Sequence, residues 1–373
     1  MSESTKSRLH ELSARGQSVW IDSLSREWLE DGTLDRFISD DAVVGVTSNP
    51  TIFQKALSEG DWYDEQLREV LREEEDPREV FWQLAVKDVG DACERLRSVW
   101  DAGKGQDGYV SLEVDPDLAY EQAATIEQAL RLHEWVDRPN LHVKIPATEP
   151  GLGAIEECIS RGRNINVTLI FSLDRYAAVA EAYIRGLERL VDAGHDPTRV
   201  ASVASFFVSR VDTETDKRLE ALGTDDALAL RGKLAIANAK LAYARYHEIF
   251  SGERWERLAA KGATKQRCLW ASTSTKSPAY RDVMYVEELI GPETVNTMPL
   301  ETIEAFQDHG VVADTLARDV DAARTLLGEL ERIGIDYDDV TETLEREGVQ
   351  KFSDSFRELL TGIGAKQREL VSA

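Results

Sequence analysis

The chain has 373 residues, 42% hydrophobic and 30% charged, enough to bury either one large α/β barrel or two ordinary domains. Sixty-nine acidic against 44 basic residues give a formal charge of −25, which argues against an electrostatic hold on nucleic acid or anionic membrane and demands a local basic pocket for any anionic substrate. The three cysteines, Cys93, Cys158 and Cys268, are odd in number and lack metal-ligand spacing, so neither a disulfide framework nor a zinc site is expected, and a reduced cytoplasm fits.

Residues 1–16 are polar, contain no apolar signal core and predict a short or loosely held helix with Leu9 and Leu12 turned to the core. Residues 18–22 read as a strand ended by Asp22, and 23–38 as helical, with Leu24, Trp28, Leu34 and Ile38 at helix-like intervals broken by Gly32. A second apolar run, 42–46, opens into Thr47-Ser-Asn-Pro50; Asn49 must be extended before proline, and Pro50 suits the first turn of a helix. Residues 61–102 read as helical, with the solvated charge run 72–76 and Pro77 separating two helices. In the strand 109–114, Ser111 and Glu113 alternate with Val110, Leu112 and Val114, and a long helix runs on to about Val136.

The next strand, 141–146, carries His142 and Lys144 on one face and stops at Pro146. After a helix over about 152–161, the strand 164–171 places Asn166 and Thr168 opposite Val167 and Leu169. There follow a helix at 174–193, a small-residue strand at 201–205, helices at 213–222 and 226–250, and a strand at 267–271. A short helix at about 280–289, a strand at 294–297, and helices at about 300–309, 315–333 and 351–370 complete the chain. No run reaches the ~18 apolar residues of a membrane span.

Eight short strands, nearly all followed by a helix, predict a single (β/α)8 TIM barrel over residues 1–373, with 1–16 as a polar N-terminal segment and 349–373 as a C-terminal helix packing on the barrel. A doubly wound sheet is the alternative, weakened by the absence of G-x-G-x-x-G after a strand. In a barrel, side chains at the C-terminal strand ends converge. Here those ends carry Asp22, Asn49, Glu113, Lys144, Thr168 and Ser205, a polar set that needs mutual hydrogen bonds or a ligand. Lys144 between Val143 and Ile145 is the unusual one: taken alone it reads more readily as a surface lysine, but a buried amine with its pKa lowered is what Schiff-base chemistry needs.

Residues 45–53 (GVTSNPTIF) and 141–152 (LHVKIPATEPGL) resemble the two signature segments of the transaldolases, with further likeness at 111–115, 165–172, 205–210 and 297–300. The resemblance implies a class I, Schiff-base transferase needing no cofactor. It moves a dihydroxyacetone unit from sedoheptulose 7-phosphate to glyceraldehyde 3-phosphate, in the non-oxidative pentose phosphate pathway. By that resemblance Lys144 is the nucleophile, Asp22 the acid/base at the C4 hydroxyl, and Glu113 and Thr168 the pair that holds a water for proton transfer. Asn49, Asn166 and Ser205 meet the dihydroxyacetone hydroxyls, and Arg210 binds phosphate. Plainer readings stand beside these: a helix N-cap for Asp22, an ion pair with Lys144 for Glu113, a turn for Asn49, and a surface salt bridge to Asp212 or Glu214 for Arg210.

Since a charged Glu113 would raise the lysine pKa, a water between the two is expected. Where many members of the family have Ser-x-Arg, this chain has Ser272-Thr-Ser274, and Lys276 on the same loop is expected to supply the second positive charge. Phe207 favours transfer over the nearest rival, a fructose 6-phosphate aldolase whose aromatic at this place carries a hydroxyl. A non-catalytic barrel scaffold is the rival from another class. The expected partners are sugar phosphates, with monomer and homodimer both open. Phe352 and Phe356 are expected to anchor the C-terminal helix over the barrel mouth.

Overall fold

The computed structural model describes residues 7–58 and 60–372, so the start of the N-terminal segment and the last residue of the C-terminal span lie outside the described residues. Eight parallel strands close into one barrel in chain order: β1 Gln17–Ile21, β2 Val43–Thr47, β3 Tyr109–Glu113, β4 Leu141–Pro146, β5 Ile165–Ile170, β6 Ser202–Phe207, β7 Arg267–Ala271 and β8 Thr294–Met298. This is the (β/α)8 architecture that the alternation predicts, each strand lying within a few residues of its expected place. The strands are buried almost throughout, because helices cover the outer face and side chains fill the inside.

The barrel floor shows why particular small residues are needed. Trp20 fills it beside His142 and Tyr109, the last two stacked with centroids 4.0 Å apart. Gly45 on β2 makes room: a Cβ there would come within 2.5 Å of the Trp20 ring. Bulk at one inward position is matched by its absence at the next.

Several helices differ from expectation. The 226–250 segment breaks into Asp225–Leu228 and Leu234–Ile249 around Gly232, whose φ is +69°. Residues 252–259, unassigned from sequence, form the helix Gly252–Ala259. The final helix starts well before 349, running over Tyr337–Ser372, 36 residues or roughly 54 Å at 1.5 Å per residue. It spans the mouth as a strap. At one end the Tyr337 hydroxyl donates to Asn238 Oδ1 (2.7 Å) and accepts from Leu173 N (3.0 Å); towards the other, Lys366 pairs with Asp64 (2.6 Å). Phe352 and Phe356 anchor its middle, Phe356 against Phe81 and Trp82. No helix among the described residues is long and apolar enough to cross a membrane.

Candidate active site

A cavity of about 290 Å³ opens at the C-terminal ends of the strands. Asp22, Asn49, Lys144, Thr168, Ser205, Phe207, Arg210, Ser272 and Lys276 all line it. Glu113 and Asn166 do not: Glu113 lies beside Lys144, and Asn166 lies behind Ser205, fully buried. Parallel register explains the grouping, since Glu113 is level with Lys144, Lys144 with Asn166, and Pro146 with Thr168 on neighbouring strands.

Lys144 is turned inward, only 5% exposed. Its Nζ donates to the Ser48 carbonyl at 3.0 Å and lies 3.2 Å from Glu113 Oε2. That direct contact corrects the expectation of an intervening water and realises the plainer ion-pair reading. The pair is within ion-pair distance, and Oε2 meets no other donor among the described residues. Burial pushes the Glu113 carboxyl up, against the pull of Lys144. The site thus sets a carboxyl that burial helps to hold a proton beside a buried amine.

Asp22 is not a helix cap. Ser25 performs that job, its Oγ accepting from Trp28 N at 3.3 Å. Asp22 Oδ1 instead accepts from Thr47 Oγ1 at 2.6 Å, and Thr47 is linked in turn to Thr297 at 2.7 Å. Neither threonine stands out in the sequence; each faces inward at a strand end, the signal already used for their neighbours. Asp22 borders the cavity and keeps some exposure, yet surrounding protein drives its pKa up from 3.8, against Lys144 and the Thr47 hydrogen bond.

The amides are held in different ways. Asn49 Oδ1 accepts from Ile52 N at 3.1 Å, capping the helix Pro50–Ser58 as a turn residue would, while its Nδ2 remains for the cavity. Asn166 donates to Ser111 Oγ (3.0 Å) and accepts from Ser205 Oγ (2.7 Å), so it orients Ser205 from behind. Thr168 Oγ1 is buried without a partner among the described residues. The next residue, Leu169, has φ +59° at an irregularity in the pairing of β5 and β6, so the expected alternation ends at Thr168.

Arg210 forms no surface salt bridge among the described residues. Asp212 accepts from Ala235 N and the Tyr285 hydroxyl, and Glu214 binds Lys217 and Arg218. The guanidinium instead lies 5.0 Å from the Phe207 ring and 5.7 Å from that of Phe352. Ser272, with φ +57°, is fixed by Ser209 at 2.8 Å, and Lys276 Nζ donates to Ser274 Oγ at 2.6 Å. Lys351, Phe352 and Glu301 also line the cavity; the strand-end pattern misses them, because they come from elements after the last strand.

A larger cavity, about 660 Å³, opens at the opposite end of the barrel around Tyr109, His142 and Arg267. Its Arg267 and Lys265 are paired with Asp107 and Glu293, and His142 is kept neutral by burial. Its lysines, Lys104 and Lys265, lie on loops and not on strands, and active sites of this fold sit at the C-terminal face.

Fold and cavity together define a (β/α)8 enzyme with its reactive groups at the strand ends. A family model described as transaldolase/fructose-6-phosphate aldolase matches residues 19–363. The chain is 54% identical to a transaldolase of Frankia alni over 94% of its own length and 95% of that protein, and 55% identical to one of a Parafrankia species over 95% and 96%. A transaldolase 2 of Streptomyces avermitilis is 51% identical over 97% and 98%. The chain belongs to the transaldolase/fructose-6-phosphate aldolase family, and it is a transferase of the transaldolase type.

Proposed function

We propose that the chain transfers a dihydroxyacetone unit from sedoheptulose 7-phosphate to glyceraldehyde 3-phosphate, giving erythrose 4-phosphate and fructose 6-phosphate, through an imine on Lys144. The observation that carries this reading is the buried Lys144 amine, 3.2 Å from a carboxylate whose pKa burial has raised. Proton transfer to Glu113 leaves a free amine, which adds to the donor ketone; loss of one water gives the iminium. Asp22 then takes the C4 hydroxyl proton, the C3–C4 bond breaks, and its electron pair passes into the iminium to leave an enamine. Addition to the incoming aldehyde reverses these steps, and water releases the product. Thr168, with its hydroxyl unpartnered, fits the role of orienting that water beside Glu113. Asn49 and Ser205 face the hydroxyls of the three-carbon unit, with Asn166 positioning Ser205.

Arg210 and Lys276 receive the substrate phosphate, a guanidinium fork and an ammonium in an otherwise acidic protein. Replacing Lys276 by alanine is expected to raise KM for fructose 6-phosphate and erythrose 4-phosphate several-fold; unchanged values for both would remove it from the site. Phe207 brings no hydroxyl to the cavity, which favours transfer over hydrolytic release. A reduced cytoplasmic setting suits three cysteines that are all free and buried.

Borohydride trapping tests the whole reading. With fructose 6-phosphate, a reduced three-carbon adduct is expected on the peptide holding Lys144, and product formation is expected to depend on an aldehyde acceptor. Absence of any adduct defeats the imine mechanism. Acceptor-independent dihydroxyacetone release would instead identify an aldolase.

A further inference from the structure

We infer that Lys351, carried over the barrel mouth by the C-terminal helix, is a third phosphate-binding group that completes the anion receptor of Arg210 and Lys276. This rests on the cavity being the substrate site proposed above, and it assigns a binding role to an element beyond the eight strands.

Carboxylates outnumber basic residues 69 to 44 in this chain, and most of its arginines are engaged in ion pairs. Arg210, Lys276 and Lys351 depart from that pattern. All three line one cavity, and none forms an ion pair among the described residues. The two wall carboxylates, Asp22 and Glu301, act on one another and reach none of the three within ion-pair distance. Asp22 and Glu113 act on Arg210 only from beyond ion-pair distance, so the three cations keep a mutual repulsion that an anion between them would relieve. Consistent with that proximity, Lys351 has its pKa lowered first by Arg210, then by burial and by Lys276.

The helix is built to bring the third charge in. Gly348, Lys351 and Phe352 fall at i, i+3 and i+4 and share one face. A Cβ on Gly348 would stand 3.0 Å from Leu169 Cδ2 and 3.6 Å from an Arg210 guanidinium nitrogen. The tight approach is to Leu169, and the arginine stands at ordinary contact distance from the helix. One turn on, Phe352 packs edge-on against Phe207, and the two adjoining rings flank the guanidinium, whose N–H groups have no protein acceptor among the described residues. A planar fork and two ammonium groups suit a phosphate ester dianion, the chemistry shared by donor and acceptor.

The test compares wild type, Lys351→Met and Lys351→Arg. Calorimetric titration with inorganic phosphate reads the receptor without turnover, and KM is measured for fructose 6-phosphate and for unphosphorylated D-fructose. K351M is expected to weaken phosphate binding about three- to tenfold and to raise KM for fructose 6-phosphate by a similar factor, since Lys351 is exposed. KM for D-fructose should stay where it was, K351R should recover most of the loss, and added salt should narrow the difference. Equal phosphate affinity in K351M and wild type, or no phosphate binding by either, would overturn the assignment. So would an equal rise in both KM values, which would mean that the helix had merely shifted. Phosphate binding that depends on Lys351 in a protein giving no borohydride adduct would fail the transaldolase mechanism and leave this receptor standing.

Discussion

Lys144→Met is expected to abolish turnover, by at least about 10⁴-fold in kcat, because it removes the amine on which the proposed imine forms. Methionine keeps the length and the apolar stem, so the barrel interior stays filled. The substitution leaves Glu113 buried without its cation. Its pKa, already raised by burial, then loses the pull of Lys144 and moves further up, and the carboxyl can enter the neutral form instead of standing as an unpaired charge. The protein should therefore fold. Steady-state assays with fructose 6-phosphate and erythrose 4-phosphate, borohydride trapping and a thermal melt measure the three consequences together. Activity within tenfold of wild type, or an adduct on a different lysine, would show that the chemistry lies elsewhere.

Most of the cavity wall could be read in advance, for a reason visible in β1, β4 and β5. Strand side chains alternate with period two, and a closed barrel points one set inward, so polar residues at the strand ends must meet. That places Asp22, Lys144 and Thr168 together without knowledge of any contact. It fails where the strand's end is misplaced or a distance decides. Thr47, which holds Asp22, is the last residue of β2 but reads from sequence as part of a turn, and the direct contact between Glu113 and Lys144 depends on a separation that no pattern encodes. The C-terminal helix is the clearest case. Gly348 among charged residues reads as a break, and its helical cost relative to alanine is about 0.5–1 kcal/mol. In the fold it sits where the helix packs tightly on Leu169 of the barrel, and the residues on either side are helical. Periodicity cannot tell a glycine that ends a helix from one that lets a helix come close.

Asp22→Asn should separate catalysis from stability in opposite directions. Asparagine retains an oxygen for the Thr47 hydroxyl at 2.6 Å but cannot take the C4 proton, so kcat should fall by about 10²–10⁴-fold while the cavity keeps its shape. The expected effect on stability follows from the raised pKa of Asp22. In the unfolded chain the group ionises near 3.8; in the fold, burial holds the proton to higher pH. Between those two values the native state binds more protons than the unfolded one, so Asp22 makes stability fall as pH rises through that window, and the cost persists at neutral pH. The amide that replaces it does not titrate. D22N should therefore melt above wild type at pH 7, and the gap should close as pH is lowered through the window towards 4. Asp22 also helps to raise the Glu113 pKa, and D22N removes that push, so any contribution from Glu113 adds to the difference in the same sense. Thermal melts of both across that range, beside kcat at neutral pH, decide the matter. If D22N keeps near-normal kcat, Asp22 is not the acid/base; if its stability advantage grows on acidification, Asp22 is not a group held above its solution pKa. The expected pairing, lower activity with higher stability, is what a carboxylate kept at the mouth for its chemistry alone should give.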